Sequence, residues 1–313
     1  MTLHRPSTLD EALAAAGTPR AGGTDLGERR RAGRHRGPVV DLLGIPDLDD
    51  LRIDDGGARL GALVTLDRLA THPELARRYG ALTAAVGALA TPQVRRMATL
   101  GGSLLQATRC WYARAGVSCH RTGGDTCPAR DGDHRFHVIF DLGPCAAPHP
   151  STTAMALLVY EATVEVAGGE DRTVAELLGD GTDPTRGDTL GTGELVTGVR
   201  LGPTDPGEAT AYLRATSRLL AEWPLVECAV RLRLDGGRIA AAAVAAGAVA
   251  PIPLRLGAVE ARLVDGPPDP DRLEAAAAAA ADGAAPLPQT GYKVELLRRT
   301  VLATLRRAVG LPD

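Results

Sequence analysis

The chain has 313 residues, of which 44% are hydrophobic and 23% charged, as in an ordinary globular protein long enough for two or three domains. Its formal net charge of −3 gives no reason to expect a nucleic acid or a membrane surface as partner. No segment approaches the roughly 18 consecutive apolar residues of a membrane span, and no signal peptide is recognisable at the N-terminus. We therefore expect a cytoplasmic protein that binds neither nucleic acid nor membrane.

The first half of the chain alternates short helices with short strands. Ser7 is the expected N-cap of a helix over residues 8–16, with Asp10 three positions later. Thr65 and Ser151 are the expected caps of two further helices that end at residues 70 and 160. The remaining elements predicted here are strands at Pro38–Leu42, Leu51–Ile53, Arg59–Leu63 and Ala162–Val166 and helices at Pro73–Tyr79 and Leu82–Ala90.

A segment rich in Gly, Asp and Thr, residues 180–193, is typical of a domain boundary. Beyond it, Leu225–Leu234 and Arg238–Ala248 flank the turn sequence Asp235-Gly236-Gly237, which predicts a β-hairpin. Apolar residues at helical spacing predict three closing helices, Leu254–Val264, Pro270–Ala281 and Lys293–Val309. The pattern predicts an α+β fold.

Two glycine loops are the first features with chemical content. They are Ala21-Gly22-Gly23-Thr24 and Thr99–Ser103, the latter with Gly101 and Gly102 at its centre. Consecutive glycines let backbone N–H groups converge on an anion, so two such loops can enclose a diphosphate, although each alone is typical of a plain loop. There is no G-x-G-x-x-G fingerprint and no Gly-Lys-Ser/Thr sequence, which disfavours the common NAD and ATP folds.

Four of the five cysteines fall within residues 110–145, separated by 8, 7 and 17 residues: Cys110, Cys119, Cys127 and Cys145. In a reducing compartment such a set indicates a metal before a disulfide. Four thiolates suit zinc or an iron–sulfur cluster, and long unequal gaps favour the cluster because zinc ligands usually come in closely spaced pairs. Zinc and unliganded or disulfide-bonded thiols stay open as alternatives. Arg109, Arg114, His120, Arg121 and Arg130 are candidate donors to cluster sulfurs.

One strongly basic run lies between the first glycine loop and the first predicted strand. It comprises Arg29, Arg30, Arg31, Arg34, His35 and Arg36. Such a run is typical of a solvated loop, and a docking or phosphate-steering patch is the other interpretation. No nucleophile–base–acid arrangement is visible, so the sequence indicates no catalytic residue.

Several ordered motifs together resemble one protein family. They are AGGTDL (Ala21–Leu26), PQVRRMATLGGSLLQATRCWYARAGVSC (Pro92–Cys119), YLRATSRLLAEWPLVECAV (Tyr212–Val230) and GYKVELLRR (Gly291–Arg299). The sequence resembles the FAD subunit of molybdenum hydroxylases, which include xanthine dehydrogenase, carbon monoxide dehydrogenase and aldehyde oxidase. Its cysteine segment is similar to the branch whose FAD subunit holds an extra [4Fe–4S] cluster.

The resemblance implies a vanillyl-alcohol-oxidase-type (PCMH-type) FAD-binding domain in two subdomains, residues 1–54 and 55–180, followed by a small α+β C-terminal domain at 195–313. It implies that the four cysteines of loop 110–145 bind the cluster. The FAD contacts that it implies are Ala21, Gly22, Gly23, Thr24, Asp25, Leu26, Thr99, Gly101, Gly102, Ser103, Thr152, Arg214 and Lys293. Thr152 and Ser103 depart from the family pattern, in which Asp and Asn are common at these positions.

The resemblance further implies an electron-transfer subunit that passes electrons between iron–sulfur clusters and FAD. The expected partners are a molybdopterin large subunit and a [2Fe–2S] small subunit, with NAD, oxygen or another molecule as acceptor. The departures from the family pattern leave two alternatives, a stand-alone flavoenzyme acting on a small molecule and a non-catalytic scaffold subunit without flavin.

Overall fold

A computed structural model describes residues 2–217 and 222–312, which form an α+β fold with three β-sheets. The strands are β1 (Leu3–His4), β2 (Thr18–Arg20), β3 (Val39–Asp41), β4 (Leu51–Asp54), β5 (Gly57–Gly61), β6 (Thr163–Ala167), β7 (Arg172–Thr173), β8 (Leu195–Leu201), β9 (Glu208–Thr216), β10 (Pro224–Asp235), β11 (Arg238–Gly247) and β12 (Leu254–Arg255). The helices are α1 (Leu9–Ala14), α2 (Leu26–Arg31), α3 (Leu66–Thr71), α4 (Pro73–Arg78), α5 (Gly80–Gly87), α6 (Pro92–Arg95), α7 (Leu100–Leu104), α8 (Trp111–Arg114), α9 (Thr152–Leu158), α10 (Val174–Leu178), α11 (Gly257–Leu263), α12 (Pro270–Ala278) and α13 (Tyr292–Ala308).

The first sheet is small and parallel, with strand order β1-β3-β2. Helix α1 packs its one buried residue, Ala12, into the core beneath this sheet. Its N-cap is Thr8, and the prediction of Ser7 was wrong by one residue. The reason is that the Glu11 carboxylate accepts hydrogen bonds from both the backbone N–H and the hydroxyl of Ser7, an arrangement that Asp10 does not make.

The second sheet is antiparallel, with order β4-β5-β8-β6-β7, and it shares one large core with α3, α5 and α9. Thr65 and Ser151 cap α3 and α9 as predicted, each accepting a hydrogen bond from the N–H three residues later. Strand β8 was not predicted. It pairs with both β5 and β6, so residues 195–201 share a sheet with the preceding subdomain. The domain limits expected from the sequence stay a prediction.

The third sheet, in the C-terminal part, is antiparallel with order β12-β11-β10-β9. The predicted hairpin is confirmed, because β10 and β11 pair across the turn at Gly236 and Gly237, which both have positive φ. One face of the sheet packs with Tyr212 and Ala229 into the core of the second subdomain. The opposite face packs against α11, α12 and α13 in a core of its own. This sheet is therefore packed on both of its faces.

The predicted closing helices are confirmed with altered ends. The first is shorter than predicted because residues 254–255 form strand β12, and the second ends in a turn of 3₁₀ helix at Ala279–Ala281. Helix α13 spans 17 residues, and it begins and ends one residue earlier than predicted. Within residues 2–217 and 222–312, no helix is both long and apolar enough to cross a membrane.

Candidate functional site

The first glycine loop connects β2 to α2. A Cβ atom at Gly22 would lie 1.5 Å from the carbonyl oxygen of Met97, so only glycine lets this loop pass against the chain after α6. Gly23 has a φ of +70°, which also favours glycine. Within the described part of the chain, the N–H groups of Gly22, Gly23, Thr24 and Asp25 donate to no protein acceptor. Four neighbouring unused donors are suited to an anionic group.

The second glycine loop forms the first turn of α7. Thr99 caps this helix, its hydroxyl accepting from the N–H of Gly102 at 3.3 Å, while the Gly101 N–H donates to the Ala62 carbonyl at 2.9 Å. A Cβ atom at Gly101 would come within 3.1 Å of the Ala62 side chain. The small residues therefore hold α7 close to the strand end at β5, beside the first loop.

Both loops line one elongated groove. It consists of two adjoining cavities of about 300 and 170 Å³ that share Thr24, Asp25, Gly102 and Gln106. The smaller cavity runs between the two loops toward residues 190–196, and the larger one runs toward Arg214 and residues 222–224 of the third sheet. The groove thus has the extended form and the central unused donors that a dinucleotide with a diphosphate requires.

The larger cavity carries a charged and aromatic end that the sequence did not reveal. The Arg109 guanidinium lies 2.8 Å from an Asp25 carboxylate oxygen and donates to the Gln106 side chain at 3.0 Å. It also lies over the Trp223 ring, 4.8 Å from the centroid. Arg109 was expected to donate to cysteine sulfurs, and the structure places it in the groove instead. The partner Asp25 is 84 residues earlier in the chain, so spacing around the cysteines gave no signal of this pairing.

Two predicted FAD contacts, Thr152 and Lys293, do not line the groove. Thr152 is fully buried at the start of α9, and its hydroxyl lies close enough to the Glu227 carboxyl to lower the pKa of that group. Lys293 is also fully buried, and its ammonium donates to the carbonyls of His137 at 2.9 Å and Ala248 at 2.6 Å. Burial lowers the pKa of Lys293 to about 7. Lys293 therefore fastens α13 to the segment between Cys127 and Cys145 and to the end of β11.

Glu227 is a buried titratable group that sequence reasoning missed. It lies on β10 directly opposite Arg214 of β9, and its carboxyl accepts a hydrogen bond from the Tyr212 hydroxyl at 2.8 Å. Burial raises its pKa to about 7, while the hydroxyls of Thr152 and Tyr212 and the charge of Arg214 act in the opposite direction. Because Arg214 lines the groove, this carboxyl lies directly behind the groove wall.

The four clustered cysteines line one cavity. Cys110, Cys119, Cys127 and Cys145 surround it, together with residues 112–113, 120–121, 128–129 and 147, and all four thiols are free. Burial raises the pKa of the Cys110 thiol, the N–H groups of Ala113 and Tyr112 lower it, and the nearby sulfurs of Cys145 and Cys127 raise it. Among residues 2–217 and 222–312, no group of three or more His, Cys, Asp or Glu side chains is close enough to hold a single metal ion. Cys228 is fully buried in the third sheet's core, far from this set in sequence, as expected of a small hydrophobe.

Of the expected donors to cluster sulfurs, His120 and Arg121 line the cysteine cavity, whereas Arg114 and Arg130 pair with carboxylates. Arg130 binds the Asp141 carboxylate and the carbonyls of Gly143 and Pro144, and Arg114 lies 3.2 Å from Glu28. Both arginines therefore donate to oxygen acceptors, which the spacing of the cysteines could not reveal. His137 contacts a cysteine sulfur, with its Nε2 3.4 Å from Cys110 Sγ.

The comparisons with known proteins agree with this geometry. Residues 1–204 match the family model described as the FAD binding domain in molybdopterin dehydrogenase, and residues 211–310 match that of the CO dehydrogenase flavoprotein C-terminal domain. The chain belongs to this family. It is 33% identical over 280 residues to the aldehyde oxidoreductase FAD-binding subunit PaoB of Escherichia coli K12, covering 86% of this chain and 84% of PaoB.

Two further comparisons extend the likeness over nearly the whole chain. The xanthine dehydrogenase FAD-binding subunit of Escherichia coli O157:H7 is 25% identical over 284 residues, covering 87% of this chain and 82% of that protein. A solved structure of CO dehydrogenase from Oligotropha carboxidovorans matches with a TM-score of 0.77 at 20% identity, covering 99% of this chain and 98% of that chain. The expected PCMH-type FAD-binding domain followed by a C-terminal domain is thus confirmed.

The protein is therefore an FAD-binding subunit of a molybdenum-hydroxylase-type oxidoreductase. The groove meets the demands of FAD on two counts that the structure itself supplies. Four neighbouring N–H groups of the first loop donate to no acceptor among the described residues, and Gly22 leaves no room for a side chain. Family membership favours the electron-transfer interpretation over the stand-alone flavoenzyme and over the scaffold without flavin.

Proposed function

We propose that FAD lies along the groove with its diphosphate between the two glycine loops. The residues that would hold it are Ala21, Gly22, Gly23, Thr24, Asp25, Leu26, Thr99, Gly101, Gly102, Ser103 and Arg214. The unused N–H donors of the first loop support the diphosphate position. Bound FAD accepts electrons singly and delivers them in pairs, and the chain supplies binding, orientation and charge.

Thr152 and Lys293 enter the proposal in a different role from the one expected. Neither lines the groove, so Thr152 would act on the groove wall through its neighbours and Lys293 would act on the cysteine cavity. Thr152 packs beside Glu227, which lies opposite Arg214 in the sheet register. Lys293 fixes the carbonyl of His137, whose ring contacts Cys110. Both residues therefore support the site from behind its walls.

We also propose that Cys110, Cys119, Cys127 and Cys145 bind a [4Fe–4S] cluster. The support is that four free cysteines, spread over residues 110–145, line one cavity. A cubane cluster is held by four cysteine thiolates, which is the number that lines this cavity. The His137 ring and the N–H groups of Tyr112 and Ala113 would donate to Cys110, the kind of contact that raises a cluster's potential.

The function we propose is electron transfer between this cluster and FAD. One observation carries it, namely that Arg109 lines the groove and the next residue, Cys110, lines the cysteine cavity. The two sites are therefore neighbours held by one short segment. We further propose a molybdopterin large subunit and a [2Fe–2S] small subunit as partners, a small-molecule acceptor such as NAD or oxygen, and a cytoplasmic location in which the free cysteines stay reduced.

The first experiment is an absorbance spectrum of anaerobically purified protein, with assays of flavin, iron, zinc and acid-labile sulfide on the same sample. We expect one FAD and about four irons and four sulfides per chain. One zinc without sulfide would overturn the cluster proposal and leave the flavin proposal standing. Protein without flavin would overturn the groove assignment.

A pair of cysteine variants sharpens the cluster test. Cys127→Ser removes one lining thiol, and Cys228→Ala removes a buried cysteine that lies outside the cavity. We expect Cys127→Ser to lose most of its iron while it keeps FAD, and Cys228→Ala to keep both. Equal iron content in the two variants would show that the cavity does not hold the cluster.

Electron transfer from the cluster to FAD is tested on the native complex. We expect the chain to purify with a larger and a smaller subunit, and stopped-flow reduction by substrate to bleach cluster absorbance before flavin absorbance. A chain that purifies alone and oxidises a small molecule without partners would support the stand-alone flavoenzyme instead.

A further inference from the structure

Another cavity, of about 290 Å³, lies beside the groove between α2 and the beginning of the cysteine segment. Its charged lining consists of five arginines and only two carboxylates, Asp25 and Glu28. The arginines are Arg29, Arg34, Arg109, Arg114 and Arg121. We call it the arginine cavity. Two of its arginines belong to the basic run that the sequence left open between a solvated loop and a phosphate-steering patch.

The carboxylates balance only part of this charge. Asp25 pairs with Arg109 at 2.8 Å, and Glu28 serves both Arg114 at 3.2 Å and Arg34. Arg29 and Arg121 have no carboxylate within 4.0 Å among the residues that the structure describes. The cavity therefore has an excess of positive charge at partly buried positions.

The pKa of a neighbouring histidine reflects this positive charge. Burial lowers the pKa of His35, and the charges of Arg29 and Arg30 act in the same direction. Like charges held together in partial burial repel one another, so an anion in the cavity would stabilise the arrangement.

The donors in the cavity suit a phosphate group. Guanidinium groups offer paired N–H donors that match two phosphate oxygens at once. The Thr108 hydroxyl accepts from the Cys110 N–H at 3.3 Å, which leaves its own hydrogen for another acceptor. Carboxylates on Asp25 and Glu28 would oppose a purely anionic ligand, and the arginines outnumber them by more than two to one.

We propose that the arginine cavity binds the phosphate group of a small ligand, next to the FAD groove and distinct from it. Arg34 and Thr108 line this cavity and not the groove, and Arg121 lines this cavity and the cysteine cavity. Arg29, Arg109 and Arg114 line both the arginine cavity and the groove. The phosphate can come from free inorganic phosphate or from a nucleotide electron acceptor whose other end reaches the groove. This inference rests on the proposed function only in taking the groove as occupied by FAD.

The test is calorimetric titration of the FAD-loaded protein with inorganic phosphate, pyrophosphate and NADP⁺ at low ionic strength, where charge effects are least screened. The test variants are Arg34→Gln and Arg121→Gln. The matched control is Arg31→Gln, which removes a charge from the same basic run at a residue that does not line the cavity. Arg121→Lys keeps the charge and loses the paired donors.

We expect one phosphate site per chain in the wild type and in Arg31→Gln. Loss of a charge-assisted contact should weaken binding about tenfold or more in Arg34→Gln and Arg121→Gln, and less in Arg121→Lys. Flavin content, iron content and melting temperature are measured on every variant, because Arg121 also lines the cysteine cavity. NADP⁺ that competes with phosphate and binds at least tenfold more tightly identifies a nucleotide acceptor, and equal affinity identifies free phosphate.

Three results would overturn the proposal. The first is that no probe binds saturably, and the second is that phosphate binding weakens equally in Arg31→Gln and Arg121→Gln. The third is that the test variants lose FAD while their phosphate binding is unchanged, since this would assign the cavity to the flavin. A wild type that purifies without FAD contradicts the proposed function instead. In that case phosphate titration of the flavin-free protein still decides whether the cavity binds an anion.

Discussion

The buried carboxyl of Glu227 gives the protein a pH-dependent stability that one substitution should remove. Its side chain is 1% exposed and lies among Tyr212 and Arg214 of β9, Thr152 of α9 and Gly247 of β11. Its pKa is raised from 4.5 to about 7, with burial as the largest cause. The folded state therefore holds a proton that the unfolded chain releases between these two pH values.

The sign and size follow from proton linkage. Where the folded state binds more protons than the unfolded state, the free energy of unfolding falls as pH rises. The stabilising contribution of Glu227 is complete below pH 4.5 and is lost as pH rises through about 7. At about 1.4 kcal/mol per pH unit, the loss between pH 5 and pH 8 amounts to about 2 to 3 kcal/mol.

Glu227→Gln removes the titrating proton of this side chain and little else. The amide keeps the shape of the side chain and an oxygen that can accept from the Tyr212 hydroxyl. Urea denaturation at 25 °C, at half-unit steps from pH 5 to pH 8, gives the free energy of unfolding of each protein. We expect the wild type to lose about 2 to 3 kcal/mol relative to Glu227→Gln across this range. Glu170→Gln, at an exposed glutamate, is the matched control.

A pH-independent difference between wild type and Glu227→Gln would refute the reasoning, since it would mean that the carboxyl keeps the same charge throughout. The same conclusion would follow if Glu170→Gln reproduced the effect. A change in the denaturant slope would instead indicate that the substitution altered the surface exposed on unfolding, and the comparison would then be repeated by calorimetry.

Three further predictions concern single residues. Gly22→Ala would place a Cβ 1.5 Å from a backbone carbonyl oxygen, so it should abolish most FAD binding, measured as flavin content. Gly27→Ala is the control and should keep FAD, because its Cβ would have its nearest neighbour at 3.6 Å. Leu305→Ala, in the fully buried core under the third sheet, should cost about 2 to 5 kcal/mol of unfolding free energy, and the partly buried Leu302→Ala clearly less. Lys293 has a pKa lowered to about 7, so the free energy of unfolding should rise from pH 7 to pH 9 by about 2 kcal/mol more in wild type than in Lys293→Met.

Features encoded by neighbouring residues were predictable from the sequence. Thr65 and Ser151 cap their helices through an N–H three residues away, and the turn at Asp235-Gly236-Gly237 needs only glycines that tolerate positive φ. The same holds for the two glycine loops, whose composition predicted that they lie together around a diphosphate, and both loops line one cavity of the groove. Local chemistry decides each of these features, so reading along the chain is enough.

Features that depend on distant partners were not predictable. Strand β8 pairs with β5 and β6, which lie far from it in sequence, and its register comes from those neighbours. Arg109 stands beside a predicted metal ligand, yet its partner is Asp25 from the other loop. In the sequence, Glu227 is one polar residue in an apolar strand. Its carboxyl is buried because α9 and β9 pack around it, which the sequence does not show.

The position of Lys293 shows how such distant contacts constrain residue choice. It is the only lysine in the sequence, and the other 34 of the 35 lysine and arginine residues are arginines. It is fully buried, and its amino group lies between two carbonyl oxygens. A guanidinium keeps its charge at any working pH, whereas an ammonium loses its proton once burial has lowered its pKa to about 7. A lysine can therefore hold the His137 and Ala248 carbonyls without a permanent buried charge. The exception to the chain's strong preference for arginine thus falls where burial makes a permanent positive charge most costly.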